Sequence, residues 1–120
     1  MGKTILVVED SPTELTLIKQ ALQGKNYNLI YASDGEEAIS KATKDVPDLI
    51  LLDVVLPKKN GFQVCRQLKM TTQTKDVKII MLTSKNQESD RFWGMKQGAD
   101  EYLTKPFKND ELLRSISKFI

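Results

Sequence analysis

Asp53 follows directly on the apolar run Leu49-Ile50-Leu51-Leu52, and three other apolar runs end in the same manner. Ile5-Leu6-Val7-Val8 ends in Glu9-Asp10, Ile79-Ile80-Met81-Leu82 in Thr83-Ser84, and Tyr102-Leu103-Thr104 in Lys105-Pro106. If these runs are parallel strands, one edge of the sheet gathers three carboxylates, a hydroxyl and an ammonium. Clustered carboxylates repel: at an effective dielectric of ~20, a like-charge pair ~4 Å apart costs about 4 kcal/mol. Protonating one acid would offset this, and so would a hard divalent cation bound through oxygen. Mg²⁺ suits such a site, taking one or two carboxylates, a carbonyl and several waters, with phosphate oxygens completing the shell. Lys105 brings a second, fixed positive charge. The acids make the site poor at holding a phosphate passively. They suit a carboxylate nucleophile whose incoming phosphoryl group is neutralised by metal and lysine. Thr83 can donate a hydrogen bond to a phosphoryl oxygen.

Positioning those residues requires regular elements, and the chain carries their signals. Strand candidates fall at 4–8, 28–32, 48–52, 78–82 and 100–104. The first, third and fourth are almost continuously apolar, as parallel strands covered on both faces are. The second and fifth are more mixed and are expected nearer the edges. Between them lie helices. Ser11-Pro12-Thr13-Glu14 offers an N-cap serine, a proline at the first helical position and a capping-box glutamate. Leu15, Ile18 and Leu22 mark one face, and Gly24 supplies a stop. A second helix opens at Asp34-Gly35 and runs to about Lys44, and a third opens at Asn60-Gly61. A fourth spans about Gln87 to Gln97, with Phe92 expected against the sheet, Trp93 at the edge of that face, and Arg91 and Met95 on an exposed side. A fifth starts near Asn109, its Asp110 and Glu111 complementing the helix dipole. Five βα units with right-handed crossovers predict an α/β, doubly wound, flavodoxin-like sheet with helices on both faces. In strand order 2-1-3-4-5, ligands bind where the order reverses, between strands 1 and 3, at Glu9, Asp10 and Asp53.

Size and composition narrow the function classes. The 120 residues read as a single domain, 1–120, large enough to bury a core. A net charge of +2 without a dense basic run argues against nucleic-acid binding. Apolar runs of about five residues are too short to insert in a membrane, and the approach of Met1-Gly2-Lys3-Thr4 to the first strand leaves no room for a signal peptide. Cys65 is the only cysteine, which fits a reducing, cytoplasmic setting, and it is expected to be a small buried hydrophobe. The chain has no histidine, the usual proton carrier at neutral pH.

The chain resembles the receiver domain of two-component response regulators, of the CheY-like superfamily and stand-alone type, over essentially its whole length. Glu9-Asp10, Asp53 with Pro57 and Gly61 following, Thr83-Ser84, Gly98-Ala99-Asp100, Tyr102 and Lys105-Pro106-Phe107 carry the resemblance. It implies that Asp53 is the phosphoacceptor. It further implies that Asp10, Asp53 and the backbone carbonyl of Val55 ligate Mg²⁺, with Glu9 acting through water. Lys105 would pair with the phosphoryl group and Thr83 would move to bond it. Tyr102 would be an aromatic switch whose ring turns inward as Thr83 vacates its place, and Lys105-Pro106 would be cis. Val55 and Lys85 occupy the two positions that tune phosphoryl lifetime in the family. An apolar Val55 cannot orient water, so slow-to-moderate self-dephosphorylation is expected.

The donor would be a histidine kinase or histidine phosphotransfer protein. The output would be a downstream protein bound at the face of helix 4, strand 5 and helix 5, with Met95 and Tyr102 as a candidate patch. Stand-alone receivers of this kind resemble regulators of chemotaxis or pilus-driven motility, acting as a monomer or weak dimer. Such a protein is not an enzyme beyond self-catalysed phosphoryl transfer and self-dephosphorylation. Haloacid-dehalogenase-type phosphatases also phosphorylate a strand-end Asp, but they need a second Asp where Val55 stands. A flavodoxin-type flavin site is disfavoured because Glu9-Asp10 would repel the flavin phosphate. The closest competitor is a receiver-fold module that binds partners without phosphorylation.

Overall fold

Strands and helices alternate without exception in the computed structural model, which describes residues 2–120. The order is β1 (Lys3–Val8), α1 (Pro12–Leu22), β2 (Tyr27–Ala32), α2 (Gly35–Asp45), β3 (Leu49–Leu52), α3 (Gly61–Lys69), β4 (Lys78–Thr83), α4 (Glu88–Lys96), β5 (Glu101–Thr104) and α5 (Asn109–Ser117). All four strand pairings are parallel and the sheet order is β2-β1-β3-β4-β5, the doubly wound arrangement the sequence predicts. The mixed strands β2 and β5 lie at the edges, and β3 is buried at every residue. Strand bounds shift by one residue: β1 and β2 start one earlier, β4 ends one later, and β3 and β5 start one later. Asp48 and Asp100 stay outside their strands because their carboxylates accept the backbone N–H of Thr4 and Ile79, each at 2.8 Å.

Because side chains alternate along a strand, each strand feeds two cores. Leu6, Val8, Ile50, Leu52, Ile79 and Met81 meet Ala38, Ala42, Val64, Cys65 and Leu68 of α2 and α3 on one face. Ile5, Val7, Leu49, Leu51, Ile80 and Leu82 meet Ile18 and Leu22 of α1 and Leu112 and Ile116 of α5 on the other. Each such Leu, Ile or Val contributes about 1.5–3 kcal/mol when fully buried, so both faces anchor the strand ends firmly.

Helix starts follow the capping signals, with one correction. Ser11 Oγ accepts the Glu14 N–H at 3.3 Å, and Pro12 opens α1. Glu14 does not complete a capping box. The Ser11 N–H is taken by Glu9 Oε2 at 3.2 Å, and Glu14 Oε2 instead lies 3.9 Å from Lys105 Nζ. Helix α2 runs one residue past Lys44 and stops at Val46, which takes a left-handed φ of 41° without the glycine that usually marks such an end.

The fourth helix departs further from expectation. Phe92, expected against the sheet, is 64% exposed, and Trp93 is 49% exposed. Only Gly94 of α4 is buried. At 100° per residue, Phe92 stands ~200° from the face that Gly94 turns to the sheet, so it points to solvent. Arg91 and Met95 are exposed as expected.

Candidate functional site

Four strand ends build the site. Val8 pairs with Leu52, so Glu9-Asp10 and Asp53 leave β1 and β3 at the same level. Thr83 pairs with Thr104, which places Lys105 immediately beyond β4 and β5. Backbone bonds continue past the strands and fix these residues: Asp53 N–H to Val8 O at 3.1 Å, Glu9 N–H to Ala32 O at 3.0 Å and Lys105 N–H to Thr83 O at 2.8 Å. Gly61 lets the start of α3 press against this edge. A Cβ there would fall 2.3 Å from Asp53 O and 2.7 Å from Val54 Cα, where no side chain fits.

One carboxylate oxygen from each of Glu9, Asp10 and Asp53 lies within 4.8 Å of the others. Lys105 Nζ donates to Glu9 Oε1 at 2.5 Å and to Asp53 Oδ2 at 3.1 Å. Glu9 and Asp53 are buried, Asp10 faces solvent, and the Lys105 side chain is 7% exposed. Burial pushes the Glu9 carboxyl above its ordinary value; the bond from Lys105 opposes this and the Asp53 charge adds to it. Burial alone would lower the Lys105 ammonium. The bond to Glu9 and the charges of Asp53 and Glu9 outweigh it, so the net shift is upward and Lys105 stays charged at neutral pH. Three carboxylates thus face one ammonium, and the excess is negative. An oxygen-only donor set with uncompensated charge and one exposed member fits a hard divalent cation such as Mg²⁺. Both Glu9 oxygens already accept protein donors, from Lys105 and Ser11, and Asp53 Oδ1 accepts the Val55 N–H at 3.1 Å.

Thr83 and Tyr102 meet through the backbone of Lys85, which no local pattern marks. Thr83 is fully buried, and its Oγ1 accepts the Lys85 N–H at 3.4 Å. The Tyr102 hydroxyl donates to the Lys85 carbonyl at 2.7 Å. One peptide segment is therefore held by both side chains. The Tyr102 ring is buried, with the Arg91 guanidinium 5.4 Å from its centroid. Burial, aided by the Asp90 charge and opposed by Arg91, pushes its phenol up to about 12. A buried Tyr102 leaves the expected Met95–Tyr102 patch to Met95 and its exposed neighbours. The Lys85 ammonium pairs with Asp90 at 3.8 Å, and Lys85 shares a cleft with Val55. Lys105-Pro106 is cis. Cys65 is buried as expected, and burial holds its thiol at about 12. Glu14 is the acid that sequence reasoning assigned elsewhere; its place one turn into α1 gave no sign that it would lean toward Lys105.

A family model described as the response regulator receiver domain matches residues 5–117. The chain belongs to that family. Among curated receiver-containing relatives, it is 48% identical to the alkaline phosphatase synthesis transcriptional regulatory protein PhoP of Bacillus subtilis, over 93% of this chain and 46% of PhoP. It therefore spans about half of PhoP. Protein PilH of Pseudomonas aeruginosa is 40% identical over 94% of this chain and 93% of PilH. Among solved structures, the receiver domain of a sensor histidine kinase from Pseudomonas aeruginosa superposes with a TM-score of 0.91 at 34% identity, covering 99% of this chain and 98% of that one. That receiver was described with magnesium ion coordinated in its active site cleft. Receiver domains are signalling phosphoacceptors rather than classic enzymes, bind Mg²⁺ at their acidic site, and interact with histidine kinases or phosphotransfer proteins and downstream targets. Among the described residues of this receiver, no helix is long and apolar enough to cross a membrane.

Proposed function

We propose that this receiver accepts a phosphoryl group on Asp53 from a histidine kinase or histidine phosphotransfer protein. The single observation behind this reading is the ammonium of Lys105 seated between Glu9 and Asp53, with Asp10 completing a carboxylate cluster 4.8 Å across. A carboxylate oxygen of Asp53 forms the new bond to phosphorus as the donor's P–N bond breaks, and the imidazole nitrogen keeps the electron pair. Asp10, Asp53 and the Val55 carbonyl would hold Mg²⁺, with Glu9 reached through water. Bound Mg²⁺ would supply positive charge to the phosphoryl oxygens as charge redistributes. Lys105 pairs with the same oxygens, giving up part of its bond to Asp53. The groove lined by Glu14, Leu17, Ser84, Pro106, Phe107 and Asn109 beside Lys105 offers a donor protein a place to approach.

Phosphorylation adds roughly −1.5 to −2 charge at the β3 edge. Thr83 would bond the phosphoryl group, and through Lys85 its movement would be felt by Tyr102 and α4, favouring a pre-existing conformation. The output would be a protein bound at the face of α4, β5 and α5, in chemotaxis or pilus-driven motility, in the cytoplasm. Val55, exposed and apolar beside the site, supports slow-to-moderate self-dephosphorylation.

Acetyl phosphate with Mg²⁺ should add one phosphoryl mass to the wild type and none to Asp53→Asn. An unmodified wild type would overturn the reading. A second reading, partner binding without phosphorylation, is favoured by one observation: Tyr102 is already buried and bonded to the Lys85 carbonyl. In that case target capture by Asp53→Ala would equal that by the wild type.

A further inference from the structure

Glycine is among the poorest residues for a helix, yet Gly94 stands in the last turn of α4, two residues before its end, and is that helix's one buried residue. The missing side chain brings the α4 backbone onto Met81 and Tyr102. A Cβ at position 94 would lie 2.8 Å from Met81 Sδ and 2.9 and 3.0 Å from Tyr102 Cδ2 and Cε2, nearer than side chains tolerate. Met81 can yield by rotating its thioether. The Tyr102 ring is less free, because its hydroxyl is bonded to the Lys85 carbonyl and Arg91, one turn before Gly94, lies over its face. Any side chain at 94 must therefore lift α4 or expel the ring.

We propose that Gly94 is a positioning residue for Tyr102: its missing side chain is the berth that admits the ring under α4. Filling the berth drives the ring outward and releases its bond to Lys85, the segment that also holds Thr83. By linkage, a change that lowers the population of the inward ring weakens any ligand at Asp53 that favours it, by the factor by which that population falls. The berth follows from the contact distances alone, whereas its coupling to Asp53 rests on the phosphoacceptor reading above.

The test labels the three tyrosines with 3-fluorotyrosine, assigns Tyr102 by its loss in Tyr102→Phe, and follows the ¹⁹F spectrum during beryllofluoride titration at saturating Mg²⁺. In Gly94→Ala the Tyr102 resonance should move toward its position in the denatured protein. The beryllofluoride midpoint should rise by the factor by which the inward population falls, up to about tenfold for one overpacked contact. Ser89→Ala, an exposed change on the same helix, should alter neither. A Tyr102 resonance that stays put in Gly94→Ala overturns the berth. A resonance that moves while the midpoint does not supports the berth and removes its coupling to Asp53. No beryllofluoride response in the wild type would sink the phosphoacceptor reading and leave the berth to the ¹⁹F shift. A stability cycle covers poor folding of the single variant. Gly94→Ala should lower the thermal midpoint in the wild type and raise it in a Tyr102→Ala background, where alanine's helix preference is no longer opposed. A lowering of equal size in both backgrounds would overturn the proposal.

Discussion

Lys105 holds together charges that would otherwise separate. Its side chain and those of Glu9 and Asp53 are each less than a tenth exposed, so water screens their interactions little. Removing one partner of such a group leaves uncompensated buried charge, typically at a cost of about 3–5 kcal/mol. Lys105→Met should therefore lose stability in urea titration at pH 7, and added Mg²⁺ should recover part of it. A loss below about 1 kcal/mol would mean that the acids are better hydrated than their burial suggests. Val55 acts through the absence of a polar group. Val55→Asn should shorten the life of the Asp53 phosphate several-fold by holding an attacking water, as followed by decay of the phosphorylated mass. An unchanged rate would remove Val55 as the cause of slow hydrolysis. Of these residues, the acids, Thr83 and Lys105 were legible because each stands at the end of an apolar run. The lean of Glu14 toward Lys105 was not, since only the approach of α1 to the end of β5 brings them together.

Elements differ in how firmly they are held. Helix α3 buries Gly61, Val64, Cys65 and Leu68, and α5 buries Leu112, Ser115 and Ile116, whereas α4 buries Gly94 alone. A helix with so little apolar burial opens at low free energy. Amide hydrogen exchange should accordingly be fastest in α4 among the five helices, and phosphorylation or beryllofluoride should slow it there more than in α3. Protection of α4 equal to that of α3 would contradict this. The same weakness explains why the sequence misplaced Phe92. An amphipathic stripe orients a helix from its sequence, and α4 has none, because a glycine faces the sheet while aromatic residues face water.

For the whole molecule, the acidic edge couples metal binding to folding. A cation that binds only the folded state at a hundredfold excess over Kd adds about 2.7 kcal/mol. For a domain of this size that is on the order of 10 °C in thermal midpoint. Mg²⁺ should raise the midpoint of the wild type, and Asp10→Asn should lose most of that increment, with a metal-free midpoint above that of the wild type because one of the repelling carboxylates is gone. Equal increments in both would place the cation elsewhere. Alkaline pH acts in the opposite direction. Burial raises the Cys65 thiol from 9.0 to about 12. The thiol's contribution is therefore complete below pH 9.0 and lost progressively up to about pH 12, because the unfolded chain releases its proton first. Between those limits stability should fall by about 1.4 kcal/mol per pH unit from this group. Denaturant midpoints of wild type and Cys65→Ala should diverge accordingly above pH 9, and parallel profiles would refute the assignment.

The amino-acid sequence by itself determined the alternation of strands and helices, the buried centre and mixed edges of the sheet, and the acids, hydroxyl and ammonium at the strand ends. Those features are written in short-range patterns: apolar runs, caps and the residue that follows each run. Tertiary structure decided which groups touch. It seated Lys105 between Glu9 and Asp53, joined Thr83 and Tyr102 through the Lys85 backbone, and turned Gly94 to the sheet while Phe92 faced water. These contacts join separate elements or depend on how a helix is rotated against the sheet. Strand register and helix packing set them, and no local pattern records either.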